Sequence, residues 1–239
     1  MSGIPQTPSS QPLSPSQLGV RPAPALVQQL LLGAFGWMFA GLLLTAGVAF
    51  LVGGNQQVID TVGQYWFLIA IGQFALAIGI QGAINKISPT ASLALFFVYA
   101  ASMGFTIALI VSFYTTASVA SAFFAAAAMF GAAAIYGAVT KRELARLGGI
   151  LFMAMIGILV ASVVNIFLAS GPIGWIIAVI GVVLFTALTA YDVQRITRGD
   201  FAAFAGSIER ASIIAALHLY LDFINLFLFL LRIFGSGRN

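Results

Sequence analysis

The chain has 239 residues, of which 61% are apolar and 7% charged, with a formal net charge of +4 and no cysteine. Ordinary soluble domains carry about a quarter charged residues, so this chain has too little polar material to coat a globule and reads as a polytopic membrane protein. Ten basic residues scattered between apolar stretches make no basic face, which excludes nucleic acid as a partner. The missing cysteines exclude disulfides, thiolate metal sites and cysteine nucleophiles.

Residues 1 to 28, "MSGIPQTPSSQPLSPSQLGVRPAPALVQ", are rich in Pro, Ser and Gln and lack the basic start and apolar centre of a signal peptide. They are expected to form a disordered cytoplasmic tail ahead of a seven-helix transmembrane domain over 29 to 239. A bilayer core of about 30 Å asks for about 20 apolar residues per helix. Seven stretches meet that demand, at 30 to 53, 66 to 85, 91 to 113, 118 to 140, 148 to 170, 173 to 193 and 212 to 234. "NKISPT" (85 to 90), "KRELAR" (141 to 146) and "GPIG" (171 to 174) break the spans with proline, charge and glycine. Tyr65, Trp66, Tyr114 and Trp175 fall near span ends, where amphipathic rings settle.

Orientation follows from Lys and Arg. With the N-terminus in the cytoplasm, the inner segments hold Arg21, Lys86, Lys141, Arg142, Arg146, Arg195, Arg198 and Arg210, and only Arg232 and Arg238 depart from the pattern. The expected fold is therefore all-α, with seven transmembrane helices, a cytoplasmic N-terminus and an outer C-terminus. The alternative makes the last segment re-entrant, since its polar middle and basic end suit a helix that turns back. Within "FFAAAAMFGAAAIYGA" (123 to 138), Ala127 with Gly131 and Ala133 with Gly137 are small residues four apart, a spacing that lets helix backbones approach in lipid.

The chemistry must lie in the few polar groups within the spans. His218, Asp222 and Asn225 are spaced i, i+4 and i+7, so they share one stripe of the last helix with Ala215 and Ala211. In the preceding span Thr186, Thr189 and Asp192 recur at near-helical spacing. A bare carboxylate at mid-bilayer costs about 2.5 to 3.5 kcal/mol, so such groups pair or line water. Two aspartates sharing a site cannot both stay ionised cheaply, and the pair titrates as a unit. One proton held between them links two helices; without it, two like charges repel and attract a hard cation such as Ca²⁺. Asp192 also admits a plainer reading, as a solvated helix-end residue beside Arg195.

"FTALTAYDVQRI" (185 to 196) followed by "LYLDFINLFLFLLRIFG" (219 to 235) resembles the two closing signature segments of the Bax-inhibitor family, the transmembrane Bax-inhibitor-motif proteins, and "INKISPT" (84 to 90) resembles an earlier motif of that family. The resemblance implies a central last helix surrounded by the other six. For bacterial members it implies a pH-dependent calcium leak across the cytoplasmic membrane, with Asp192 and Asp222 matching the paired aspartates of the proton sensor. Relatives are tied to suppressing cell death or restraining a membrane-bound protease. Leak-forming members carry an arginine near the cytoplasmic end of the second helix that latches the sixth-helix aspartate. Here "GIQGAINK" (79 to 86) offers Gln81 or Ala83, with Lys86 the nearest cation, and a further position that is often acidic is Gln73. Glutamine can hydrogen-bond a carboxylate but cannot neutralise it.

His218 is the only histidine; imidazole titrates near neutral pH, although a lone histidine on a packed face more often serves as a hydrogen-bonding partner. A retinal lysine, a G-x-S-x-G nucleophile and a P-loop are all absent, so an enzyme is not expected. The first expectation is a pH-sensitive calcium leak channel in a bacterial inner membrane. In it Asp192 and Asp222 form the sensor and transient calcium ligands, His218, Asn225, Thr189 and Gln81 are supporting groups, and there is no cofactor beyond calcium as the transported ion. The second is a regulatory membrane protein that binds a membrane protease or a stress protein.

Overall fold

The computed structural model describes residues 22–235. The tail expected over 1 to 28 lies outside the described residues as far as residue 21, and helix α1 begins at Pro24, a residue suited to the first helical turn. The helices in chain order are α1 (Pro24–Gly53), α2 (Gln56–Gln64), α3 (Trp66–Ala83), α4 (Pro89–Val111), α5 (Thr116–Val139), α6 (Gly148–Leu168), α7 (Gly171–Thr197), α8 (Asp200–Ala205) and α9 (Ile208–Phe234). A single 3₁₀ turn, Leu144–Leu147, leads into α6. Among the described residues, seven helices are long and apolar enough to cross a membrane, namely α1, α3, α4, α5, α6 with its leading turn, α7 and α9.

Side-chain caps set several of the starts. Ser88 accepts from Ala91 N ahead of α4, Thr115 from Ser118 N ahead of α5, Ser170 from Ile173 N ahead of α7 and Ser207 from Arg210 N ahead of α9. Each satisfies one of the donors that a helix N-terminus otherwise leaves unpaired. The spans match the stretches read from the sequence to within a few residues, with one consequential difference. α7 runs on to Thr197, so Asp192 lies inside the helix and is buried, and the solvated helix-end reading of that residue is set aside.

α9 is the centre of the bundle and the most buried span. It is one unbroken helix of 27 residues, about 40 Å at 1.5 Å per residue, long enough to cross the hydrocarbon, so the re-entrant alternative does not hold. α1, α4, α5 and α7 pack directly against it, while α3 lies on α4 and α6 on α7. The ring around α9 is thus four helices with two outriders, rather than six equal neighbours. Leu217, Leu219, Tyr220, Leu226 and Leu231 of α9 are fully buried. Phe39, Phe50, Phe124, Phe152 and Phe167 on the outer helices are exposed, as lipid-facing residues must be.

Of the two small-residue pairs, only one works. A side chain at Gly137 would run into the backbone of Ala190, and Ala133 is buried, so this pair forms the close approach of α5 to α7. Ala127 is exposed and nothing stands near Gly131, so the other pair faces away from any neighbour.

The basic loops converge at one end. Asn85 Nδ2 donates to Phe204 O (3.2 Å), Arg210 Nη2 to Ile87 O (2.9 Å) and Gln194 Nε2 to Arg142 O (2.8 Å), tying the loop between α3 and α4 to α8 and α9 and the loop between α5 and α6 to α7. Arg232, which departs from the charge pattern, sits at the other end: Asn165, with its amide oriented to suit its neighbours, accepts from Arg232 Nη2 (3.1 Å) and donates to Ser170 O (3.1 Å). Two short helices escaped the sequence reading. α2 is capped by Asn55 and buries Ile59 and Val62 at the outer end. α8 is set off by Gly199 and Gly206, with φ of 73° and 70°, a left-handed conformation that side chains resist.

Candidate functional site

The spans α1, α3, α4, α5 and α6 contain no Asp, Glu, Lys, Arg or His. All ionic chemistry within the spans therefore belongs to α7 and α9, and apart from Arg232 it gathers toward the end that carries the basic loops. Asp192 projects from the last two turns of α7. Its Oδ1 accepts from Arg195 Nη1 at 3.3 Å, and its Oδ2 lies 3.1 Å from His218 Nδ1 of α9. The other ring nitrogen of His218, Nε2, lies 3.2 Å from Gln81 Oε1 at the end of α3. The amide of Gln81 is itself oriented by donating to Ala77 O at 3.3 Å, one turn back in its own helix. Three helices are thereby joined through one imidazole.

α8 closes this cluster from the cytoplasmic side. Phe201, 2% exposed, meets the His218 ring edge-on at 5.3 Å, and the Arg195 guanidinium carbon lies 4.3 Å from the centre of the Phe201 ring. Tyr191 holds the same guanidinium from another side at 5.5 Å. A cation over an aromatic face is attracted by the ring quadrupole, so Arg195 is held beside Asp192 by two rings as well as by charge.

Asp222 stands one turn beyond His218 on α9. It is 4% exposed, Asp192 is its charged neighbour, and its Oδ2 is buried without a hydrogen-bond partner. The two carboxylates share one region of the bundle, but the expected hydrogen bond directly between them is not formed: Asp192 spends its two oxygens on Arg195 and His218 instead. Other residues of the predicted set lie apart from this network. Asn225 Nδ2 donates to Leu221 O (2.8 Å) and Thr189 Oγ1 to Phe185 O (2.8 Å), each in its own helix. Gln73 exchanges hydrogen bonds with Thr106 between α3 and α4, at 2.9 and 3.2 Å. Gln81 reaches His218 rather than Asp192, so no latch runs straight from α3 to the carboxylate; the partners of Asp192 are Arg195 of its own helix and His218 of α9.

Phe201 and Tyr191 were not expected at the site. The two glycines bracketing "DFAAFA" were the available signal for a short helix there, but nothing in the local pattern says where it docks.

The sequence matches the profile of the family described as inhibitor of apoptosis-promoting Bax1 over residues 27–239. The chain belongs to the Bax-inhibitor family. It is 44% identical over 218 residues to the inner membrane protein YbhL of Escherichia coli K12, covering 89% of this chain and 93% of that one. It is similar at 40% identity to a protein of Borreliella burgdorferi (86% and 90% covered) and at 39% to one of Deinococcus radiodurans (89% and 92%). This Bax-inhibitor family protein is thus a multi-pass protein of the bacterial inner membrane, with its ionisable residues collected on two helices of the bundle.

Proposed function

We propose that this protein is a pH-sensitive calcium leak, with Asp192 and Asp222 as its gate. The observation that carries the reading is Asp222 itself: a mid-span carboxyl, buried, with an oxygen that has no partner and a second carboxylate as neighbour. Intramembrane carboxyls of this kind mark ion and proton pathways by default, because nothing structural repays their burial. Between them the pair has one structural anchor, the Arg195 and His218 contacts of Asp192, and one free group, Asp222. Taking up a proton removes the repulsion between the two carboxyls and lets α7 and α9 stay packed. Releasing it restores two like charges in one region, which favours parting the helices and admitting a hard cation with oxygen ligands.

Among the described residues no three His, Cys, Asp or Glu side chains gather to hold a metal. Calcium in this reading is cargo in transit, touched by two carboxylates, rather than a resident ion.

Purified protein in liposomes loaded with a calcium dye, assayed across acid to neutral pH, tests the proposal. The expected result is calcium entry that depends on pH in the wild type and loses that dependence in Asp222→Asn, which keeps the shape and removes the charge. Equal flux with an unchanged pH profile in Asp222→Asn would overturn it.

A further inference from the structure

α5 packs against α7 and α9, whereas α1 and α4 pack against each other and against α9. In the outer half of the bundle the two groups stand apart, and between them lies a cleft of about 400 Å³ that reaches in to α9. Phe223, Ile224 and Phe227 of α9, none more than 6% exposed, form its floor, with α1 and α5 as walls and the end of α4 beside them. Toward the cytoplasm α1 and α5 come together, where Phe35 meets Phe130 edge-on at 6.3 Å. The rim carries Phe50 and Phe124, 84% and 71% exposed, so the cleft is continuous with the lipid-facing surface.

Only two of the lining side chains carry a polar atom. Thr45 Oγ1 is already committed to Gly41 O, Ala100 O and the Tyr220 hydroxyl, and Thr116 is the first residue of α5, at the outer end. A buried water needs about two to four polar partners, so water does not fill the cleft. Left empty, it would forfeit the dispersion contacts of its whole lining. A cavity of about 150 Å³ takes a benzene-sized ring, so this one suits a longer apolar body. The chain's own ends do not supply one: residues 1 to 21 precede the cytoplasmic end of α1, and only the polar "SGRN" follows Gly235 at the outer end. A single turn of helix, about 10 Å across and 5.4 Å long, already occupies about 400 Å³, so the cleft is too small to seat a helix of a second copy.

We propose that the cleft is a lipid-binding site that takes one acyl chain of a phospholipid in the outer leaflet of the membrane. Hydrocarbon already surrounds the rim, so the chain enters sideways without crossing a polar layer. Once seated, it completes the apolar shell around α9 on the side where α1 and α5 leave it uncovered.

Full-length protein in nanodiscs containing a phospholipid with a photoreactive diazirine on its acyl chain tests the site, with adducts mapped by mass spectrometry. The wild type is expected to carry adducts on Phe223, Ile224 and Phe227, which lipid on the outer surface of the bundle does not reach. Ala46→Phe and Ala120→Phe add a ring from opposite walls, at exposed positions outside the core. Each is expected to lower the α9 adducts several-fold and to leave those on the exposed Phe152 and Phe167 of α6 at the wild-type level, which also reports that the variants fold. An α9 free of adducts in the wild type, or α9 adducts undiminished in both variants, would overturn the proposal. So would disulfide-linked dimers of Ala120→Cys in this cysteine-free chain, which would assign the cleft to a second copy. The assay involves neither calcium nor pH, so the lipid site and the leak stand or fall separately.

Discussion

Gly137 of α5 lies directly against the backbone of Ala190 in α7, so closely that any β-carbon at 137 would run into the Ala190 carbonyl. Helices in lipid gain no hydrophobic advantage from meeting one another, and close backbone approach is how they associate. Ala190 is two residues before Asp192, so this contact fixes the height at which the carboxylate enters the bundle. Gly137→Val is expected to destabilise the protein by about 1 to 3 kcal/mol, the usual range for overpacking, and to lower its melting temperature in detergent. Gly131→Ala, where the space is open, should leave it unchanged. Melting curves of the two variants check the difference.

Thr45 of α1 and Tyr220 of α9 meet through their hydroxyls at 2.6 Å, and Thr45 Oγ1 also lies 2.8 Å from Ala100 O of α4. Tyr220 is fully buried, with Phe96 and Tyr99 packed edge-on against its ring, so the hydroxyl has no water to fall back on. Tyr220→Phe is expected to cost about 0.5 to 1.5 kcal/mol, and adding Thr45→Val should cost less than the sum of the two single changes, because the pair is then removed whole. A double-mutant cycle on unfolding in mixed micelles measures this.

The spans were legible because lipid allows only one solution to an unpaired backbone, and that solution writes about 20 apolar residues into the sequence each time. The stripe of His218 and Asp222 was legible for the same reason: their spacing of four fixes a shared face whatever packs on it. The partner was not. Gln81 is 137 residues away from His218, and no local pattern encodes which of the polar groups at the cytoplasmic end a given side chain will reach. Gly131 and Gly137 show the same limit, since both sit in small-residue spacings and only the rotation of α5 about its axis separates them. The nine residues of α2 and the six of α8 were missed because each is too short for a helical period to emerge.

Gln194, buried one turn from the end of α7, accepts from Leu144 N at 2.9 Å and donates to Arg142 O at 2.8 Å, clamping the loop between α5 and α6. Its replacement by Leu leaves a buried backbone N–H and a carbonyl without partners, which costs about 1 to 3 kcal/mol for an unsatisfied buried group. The expected outcome is faster hydrogen exchange at Leu144 and its neighbours, with α9 unaffected. Exchange measured by mass spectrometry on Gln194→Leu and the wild type reads both regions in one experiment.

Phe201 touches both His218 and Arg195, as Asp192 does, and it reaches them from a six-residue helix held between two left-handed glycines. α8 is too short to persist by itself, so the burial of Phe201 is what keeps it in place. Phe201→Ala is expected to cost about 3 kcal/mol and to expose the stretch from Gly199 to Gly206 to protease added on the cytoplasmic side. Phe201→Leu, which retains apolar volume without a ring face, should keep the stretch protected while loosening Arg195, whose hold on Asp192 is only 3.3 Å and partly exposed. The two variants therefore separate the closure of the cytoplasmic end from the placement of the guanidinium. Limited proteolysis reports the first, and the pH profile of calcium entry in liposomes reports the second, with Phe201→Leu altered in the profile alone.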